Sequence, residues 1–170
     1  MKLEVQPIVR ELDLGGYAPV YAGKMVYVWV NAPAAFLRER DLLVVEYGRQ
    51  LREVTRLRQA READASNKFL IRLPFLGKRP AGEATPVEAV RTVDRFNRWV
   101  AQTFLPRIDA WFADLLSHGP EDTHWTAEEL DTIYEQDSIL LEWIKRRSLE
   151  LVQDYAAEKK RPFEPPSNSS

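Results

Sequence analysis

With 170 residues the chain is long enough for one domain with a sizeable core, and its 45% apolar and 29% charged residues are ordinary for a globular protein. A net charge of −2 implies no broad basic surface for nucleic acid. The lack of cysteine removes a disulfide framework, a thiol nucleophile and cysteine-ligated zinc. No apolar run approaches the roughly 18 residues of a membrane span, and Met1–Val5 enters strand-like alternation with no signal-peptide core. A cytoplasmic protein is expected.

Residues 2 to 11 alternate weakly, with Leu3, Val5 and Val9 on one side. Pro7 cannot donate to a ladder, so this strand belongs at an edge or is broken. Leu12 to Gly23 reads as a loop, carrying Gly15, Gly16, Pro19 and Gly23, that returns the chain for a hairpin. The strand Tyr21–Asn31 follows. Met25, Tyr27 and Trp29 share one face, and Val26, Val28 and Val30 the other. Two apolar faces predict cover on both sides. Asn31 is placed to cap the next helix, with Pro33 in its first turn.

The period then becomes helical from Ala34 to about Ala63. Phe36, Leu37, Leu43, Val44, Tyr47, Leu51, Val54 and Leu57 recur at spacings of three, four and seven. Asp64 to Glu83 is expected to break the helix. Within it, Lys68–Leu76 is an apolar run that is read either as a third strand or as an extended loop pinned on the core. Thr85-Pro86-Val87-Glu88 reads as a capping box opening a helix, which Pro106 should kink or split. His118-Gly119-Pro120 ends it. Thr126-Ala127-Glu128-Glu129 is a second capping box, and a last helix follows Asp137-Ser138 to about Glu158. The tail, residues 161–170, is expected to be disordered. The fold class is α+β: an N-terminal β-hairpin, of two or three strands, followed by a mainly helical bundle of four to five helices in one domain.

Candidate chemistry is sparse. His118 and His124 flank Glu121 and Asp122, a set able to ligate a metal, but it reads better as an exposed interhelical loop without a supporting shell. Glu128 with Glu129, or Glu135 with Asp137, could act as an acid–base pair; Glu128 and Glu129 already serve a helix start. The chain carries no phosphate-cradling glycine loop and no nucleophile elbow. No catalytic, metal or cofactor residue is therefore assigned. Arg49, Arg52, Arg56, Arg58 and Arg61 cluster on the first helix, but Glu46, Glu53 and Glu62 interleave with them, so ion pairing within the helix is the better account. Five tryptophans suit core positions or partner anchors. The residues singled out for a protein partner are Tyr17, Tyr21, Phe69, Leu70, Ile71, Phe75 and Trp125, with an oligomer left open.

The segment Leu12-Asp13-Leu14-Gly15-Gly16-Tyr17-Ala18-Pro19-Val20-Tyr21-Ala22-Gly23-Lys24, with Val28-Trp29-Val30-Asn31-Ala32-Pro33, resembles the opening of bacteriophage tail assembly chaperones. The resemblance covers about the first 35 residues. It implies a non-enzymatic protein that binds the helical tape-measure protein in the host cytoplasm, recruits tail-tube subunits and leaves before the virion is complete. It also implies a longer form made by frameshifting, for which Glu158-Lys159-Lys160 could be encoded by a slippery run. The alternative is a head–tail connector or tail-completion protein that remains in the particle.

Overall fold

The computed structural model describes residues 6–70 and 86–160. The readings made for Leu3 and Val5, for Ile71–Leu76, for the Thr85 cap and for the tail lie outside the described residues. The elements are β1 (Val9–Asp13), β2 (Met25–Trp29), α1 (Ala34–Leu70), α2 (Pro86–Trp99), α3 (Leu105–Leu115), α4 (Ala127–Gln136) and α5 (Ser138–Lys160). The chain divides into two compact units, one of Met1–Leu37 with Asp109–Ser170 and one of Arg38–Ile108.

In the first unit β1 and β2 pair antiparallel, with Val9 opposite Trp29 and Asp13 opposite Met25. The strand begins only after Pro7, as a residue without an amide hydrogen requires, and runs on through Leu12 and Asp13, which the sequence reading had placed in the loop. Two 3-10 turns, Leu14–Gly16 and Pro19–Tyr21, carry the connection. Gly23, at φ +78°, makes the left-handed turn into β2. Val26, Val28 and Val30 are buried. They pack in a core with Leu115, Leu116, Leu130, Leu141 and Ile144, and each such side chain gains about 1.5–3 kcal/mol from leaving water.

The opposite face of β2 is covered only in part. Met25 is exposed and Tyr27 and Trp29 are half-buried. Trp29 stacks on His118 at 4.0 Å between ring centres and meets Phe36 at 5.4 Å. Asn31 does not cap α1. Its Oδ1 accepts from Ile8 N at 2.6 Å and Trp29 Nε1 at 2.8 Å, and its Nδ2 donates to Gln6 O at 2.8 Å. It therefore ties down the chain entering the hairpin, while the carbonyl of Pro33 accepts the first helical bond from Leu37.

The second unit holds α1 from Arg38 onward, α2 and the start of α3. The backbone of α1 continues to Leu70, beyond the break expected at Asp64. The physical reason is that residues 64–70 contain neither glycine nor proline, and Ala65, Lys68 and Leu70 are good helix formers. The strand reading therefore fails for its first three residues. Leu43 is buried, and Tyr47 stacks on Phe104 at 4.7 Å and meets Phe96 at 5.8 Å.

Pro106 neither breaks nor sharply ends its helix. A π-helical turn, Val100–Phe104, joins α2 to α3, and the Leu105 amide bonds the Val100 carbonyl five residues back. A wider turn just ahead of Pro106 relieves the clash that its ring would make with the carbonyl four residues earlier. With α2, the π turn and α3 counted as one continuous helix, four helices follow the hairpin among the described residues. The α+β reading of hairpin and helices holds.

Candidate functional site

The first unit carries a groove of about 460 Å³ lined by Met25, Thr123, His124, Trp125, Glu129, Thr132 and Ile133. Its wall is the loop between α3 and α4, and that loop is held by its own backbone. Gly119 lies so close to β2 that a Cβ there would stand 2.5 Å from Tyr27 Cβ. His124 Nε2 donates to Gly119 O at 2.8 Å, Thr123 Oγ1 donates to Pro120 O at 2.7 Å, and Ser117 Oγ donates to Trp125 O at 2.9 Å.

At the start of α4 the predicted capping box is complete: Thr126 Oγ1 accepts from Glu129 N at 3.2 Å, and the Glu129 carboxylate accepts from Thr126 N at 2.8 Å. The polar groups of the groove are thus engaged in holding its wall. What it offers a ligand is chiefly the apolar surface of Met25, Trp125 and Ile133.

Each histidine directs a ring nitrogen at a backbone carbonyl. His118 Nδ1 donates to Asp114 O at 2.9 Å while its ring stacks on Trp29, and His124 is turned to Gly119. Among the described residues no three His, Asp or Glu side chains gather as a metal site would require.

Of the residues singled out from sequence, Trp125 lines this groove. Tyr17 and Tyr21 lie elsewhere, with ring centres 6.1 Å apart. Tyr17 is half-buried, meets Trp143 at 5.8 Å, and directs its hydroxyl at the Asp137 carboxylate, 3.2 Å from each oxygen. Burial first, and that bond second, push the Tyr17 phenol above its ordinary value. Asp137 also accepts from Leu140 N at 2.9 Å and so caps α5. Its position before an apolar run was the available signal for that role. Phe69 and Leu70 fall on the last turn of α1, and Ile71 and Phe75 lie outside the described residues.

The second unit contributes a surface that the sequence reading missed. Leu42 and Val45 on α1 are 64% and 65% exposed, and Val44 and Leu51, assigned to the core from their spacing, are exposed as well. A smaller groove of about 270 Å³ runs between α1 and α2, lined by Val54, Leu57, Arg58, Ala89, Val90, Val93 and Asp94. Ion pairs form both within α1 and between helices of this unit. Glu46 accepts from Arg49 Nε at 2.9 Å and Nη2 at 2.7 Å and from Gln50 Nε2 at 2.8 Å, which holds its carboxyl down to about 2. Arg107 pairs with Glu39 at 3.1 Å.

Comparison with known proteins adds no family: no family model, curated protein or solved structure matches the chain. No described helix is long and apolar enough to cross a membrane.

Proposed function

We propose that this chain is a non-enzymatic, protein-binding factor of the phage tail assembly chaperone kind, which holds a long amphipathic partner of the tape-measure type in the host cytoplasm during tail morphogenesis. The observation that carries the reading is apolar surface exposed on α1: Leu42 and Val45 lie open to water one turn apart on one face, with Val44 and Leu51 less exposed on the other side of the helix. Apolar positions spread along a helix fit an amphipathic helix laid beside it, a mode in which recurring apolar anchors carry the affinity. The Trp125 groove, with an apolar floor and a wall fixed by its own hydrogen bonds, is a second place for such an anchor.

The test is co-expression with the large helical protein encoded beside this one. The chain should keep that protein soluble and co-purify with it. Leu42→Asp with Val45→Asp, at positions already open to water, should abolish co-purification while helical circular dichroism stays at the wild-type level. A neighbour that stays soluble without the chain, or that binds the double variant equally well, would sink the reading. The alternative is a connector or tail-completion protein that stays in the particle. Finding the chain in purified virions would favour it over the chaperone.

A further inference from the structure

The apolar groove of Met25, Trp125 and Ile133 is bordered by carboxylates from three separate elements. The first is β1. Residues directly opposite in an antiparallel pair project to the same face, with Cβ atoms about 4.5–5.5 Å apart. Asp13 lies opposite Met25 and Glu11 opposite Tyr27, so both stand on the face of the hairpin that carries the groove, and both are exposed. The second is the turn Glu121–Thr123, where exposed Glu121 lies two residues before the lining Thr123. The third is α4. Glu129 lines the groove, and exposed Glu128 lies one helical turn from the lining Thr132.

No Lys or Arg among the described residues offsets these acids. Residues 109–144 hold ten Asp and Glu and no Lys or Arg at all. Lys24, next to Met25 in sequence, holds its ammonium 5.6 Å from the centre of the Tyr21 ring. Arg10, opposite Val28, belongs to the other face of the hairpin and pairs with Glu158. His124 in the lining gives its Nε2 to Gly119 O. Glu129 and Asp13 are partly engaged, accepting from Thr126 N and Gly15 N. Glu11, Glu121 and Glu128 make no ion pair among the described residues.

We propose that this groove docks a basic segment of a partner protein. One large apolar side chain of the segment enters against Trp125, Met25 and Ile133, and Lys or Arg on either side of it meet Glu11, Asp13, Glu121 and Glu128. Charge complementarity identifies the occupant. A nucleic acid or an anionic lipid surface would bring phosphates against five carboxylates, and an acidic peptide is turned away by the same sign. The exposed acids speed encounter and select the partner, while the apolar anchor, withdrawn from water, holds it. The inference rests on the reading of the chain as a protein-binding factor but uses a different surface from α1, so failure at the groove leaves the co-expression test on Leu42 and Val45 untouched.

The test is fluorescence anisotropy of a labelled peptide, a central tryptophan and leucine flanked on each side by lysines, titrated with the full chain. Binding at roughly 10 mM salt should weaken about tenfold or more at roughly 1 M, where the screening length has fallen from about 30 to about 3 Å. Glutamates in place of the lysines should abolish binding, and serines in place of the two anchors should weaken it about tenfold or more. On the protein, Met25→Ser, and separately Glu11→Lys with Glu128→Lys, should each weaken binding about tenfold with helical circular dichroism unchanged. Asp131→Lys with Glu135→Lys alters net charge by the same amount on the far side of α4 from Ile133, and should leave affinity within about twofold. Leu42→Asp with Val45→Asp should bind the peptide as wild type does. No binding by wild type, equal binding of the lysine and glutamate peptides, equal loss from the two pairs of charge reversals, or loss in the Leu42→Asp, Val45→Asp variant would each overturn the proposal. Wild-type chains that sediment as an assembly and are dissociated by the peptide would give the groove to a second copy and overturn it as well.

Discussion

Gly119 should be the least replaceable glycine in the first unit, and for a steric reason alone. Among the described glycines only Gly23 has a positive φ, so alanine at 119 meets no backbone penalty of that kind. Its Cβ would instead stand 2.5 Å from Tyr27 Cβ, 2.6 Å from Tyr27 Cγ and 3.0 Å from Thr123 Oγ1. Carbon atoms in contact prefer about 3.5–4.0 Å, so the overlap is about 1 Å. Tyr27 cannot withdraw, because its Cβ is fixed to β2 between the fully buried Val26 and Val28. The loop must therefore move, loosening the His124–Gly119 bond and the His118–Trp29 stack that hold the groove wall. Overpacking of this kind costs about 1–3 kcal/mol. For a chain of this size that lowers Tm by about 2–4 °C per kcal/mol. Urea unfolding of Gly119→Ala should show a lower midpoint at unchanged slope. Gly23→Ala is the control, since nothing lies within 4 Å of its Cβ and its cost is conformational, so Gly23→Asn should recover part of the loss whereas Gly119→Asn should not. Wild-type stability in Gly119→Ala would refute the reasoning.

Ser148 is fully buried and its Oγ has no hydrogen-bond partner among the described residues, so Ser148→Ala should stabilise the protein by about 1 kcal/mol and raise Tm; a loss of stability would show that the hydroxyl is satisfied. Asn31→Ala removes three hydrogen bonds and should cost about 2–3 kcal/mol, with hydrogen exchange at the Ile8 amide accelerated more than at Val28. Equal acceleration at both amides would argue against a local tie. Glu46 has its pKa depressed to about 2, so its contribution is fully present above the ordinary glutamate range near pH 4.5 and is lost as pH falls toward 2. The stability gap between wild type and Glu46→Gln should close over that interval, and a gap unchanged at about pH 2 would contradict the assignment.

The local order of elements was legible because its signals are short-range. The alternation of β2, the capping box at Thr126 and Glu129, and the helix start at Pro86 each depend on residues a few positions apart, and each appears as read. What was not legible depends on partners far along the chain. Asn31 has the chemistry of a cap, yet Gln6, Ile8 and Trp29 claim its amide. Val44 and Leu51 follow the helical period, yet burial on α1 is set by how wide a face its neighbours cover, and Leu43 is buried where Val44 is not. Pro106 signalled a kink or a split, and the irregularity is there as a π turn just ahead of it, with the helix continuing beyond.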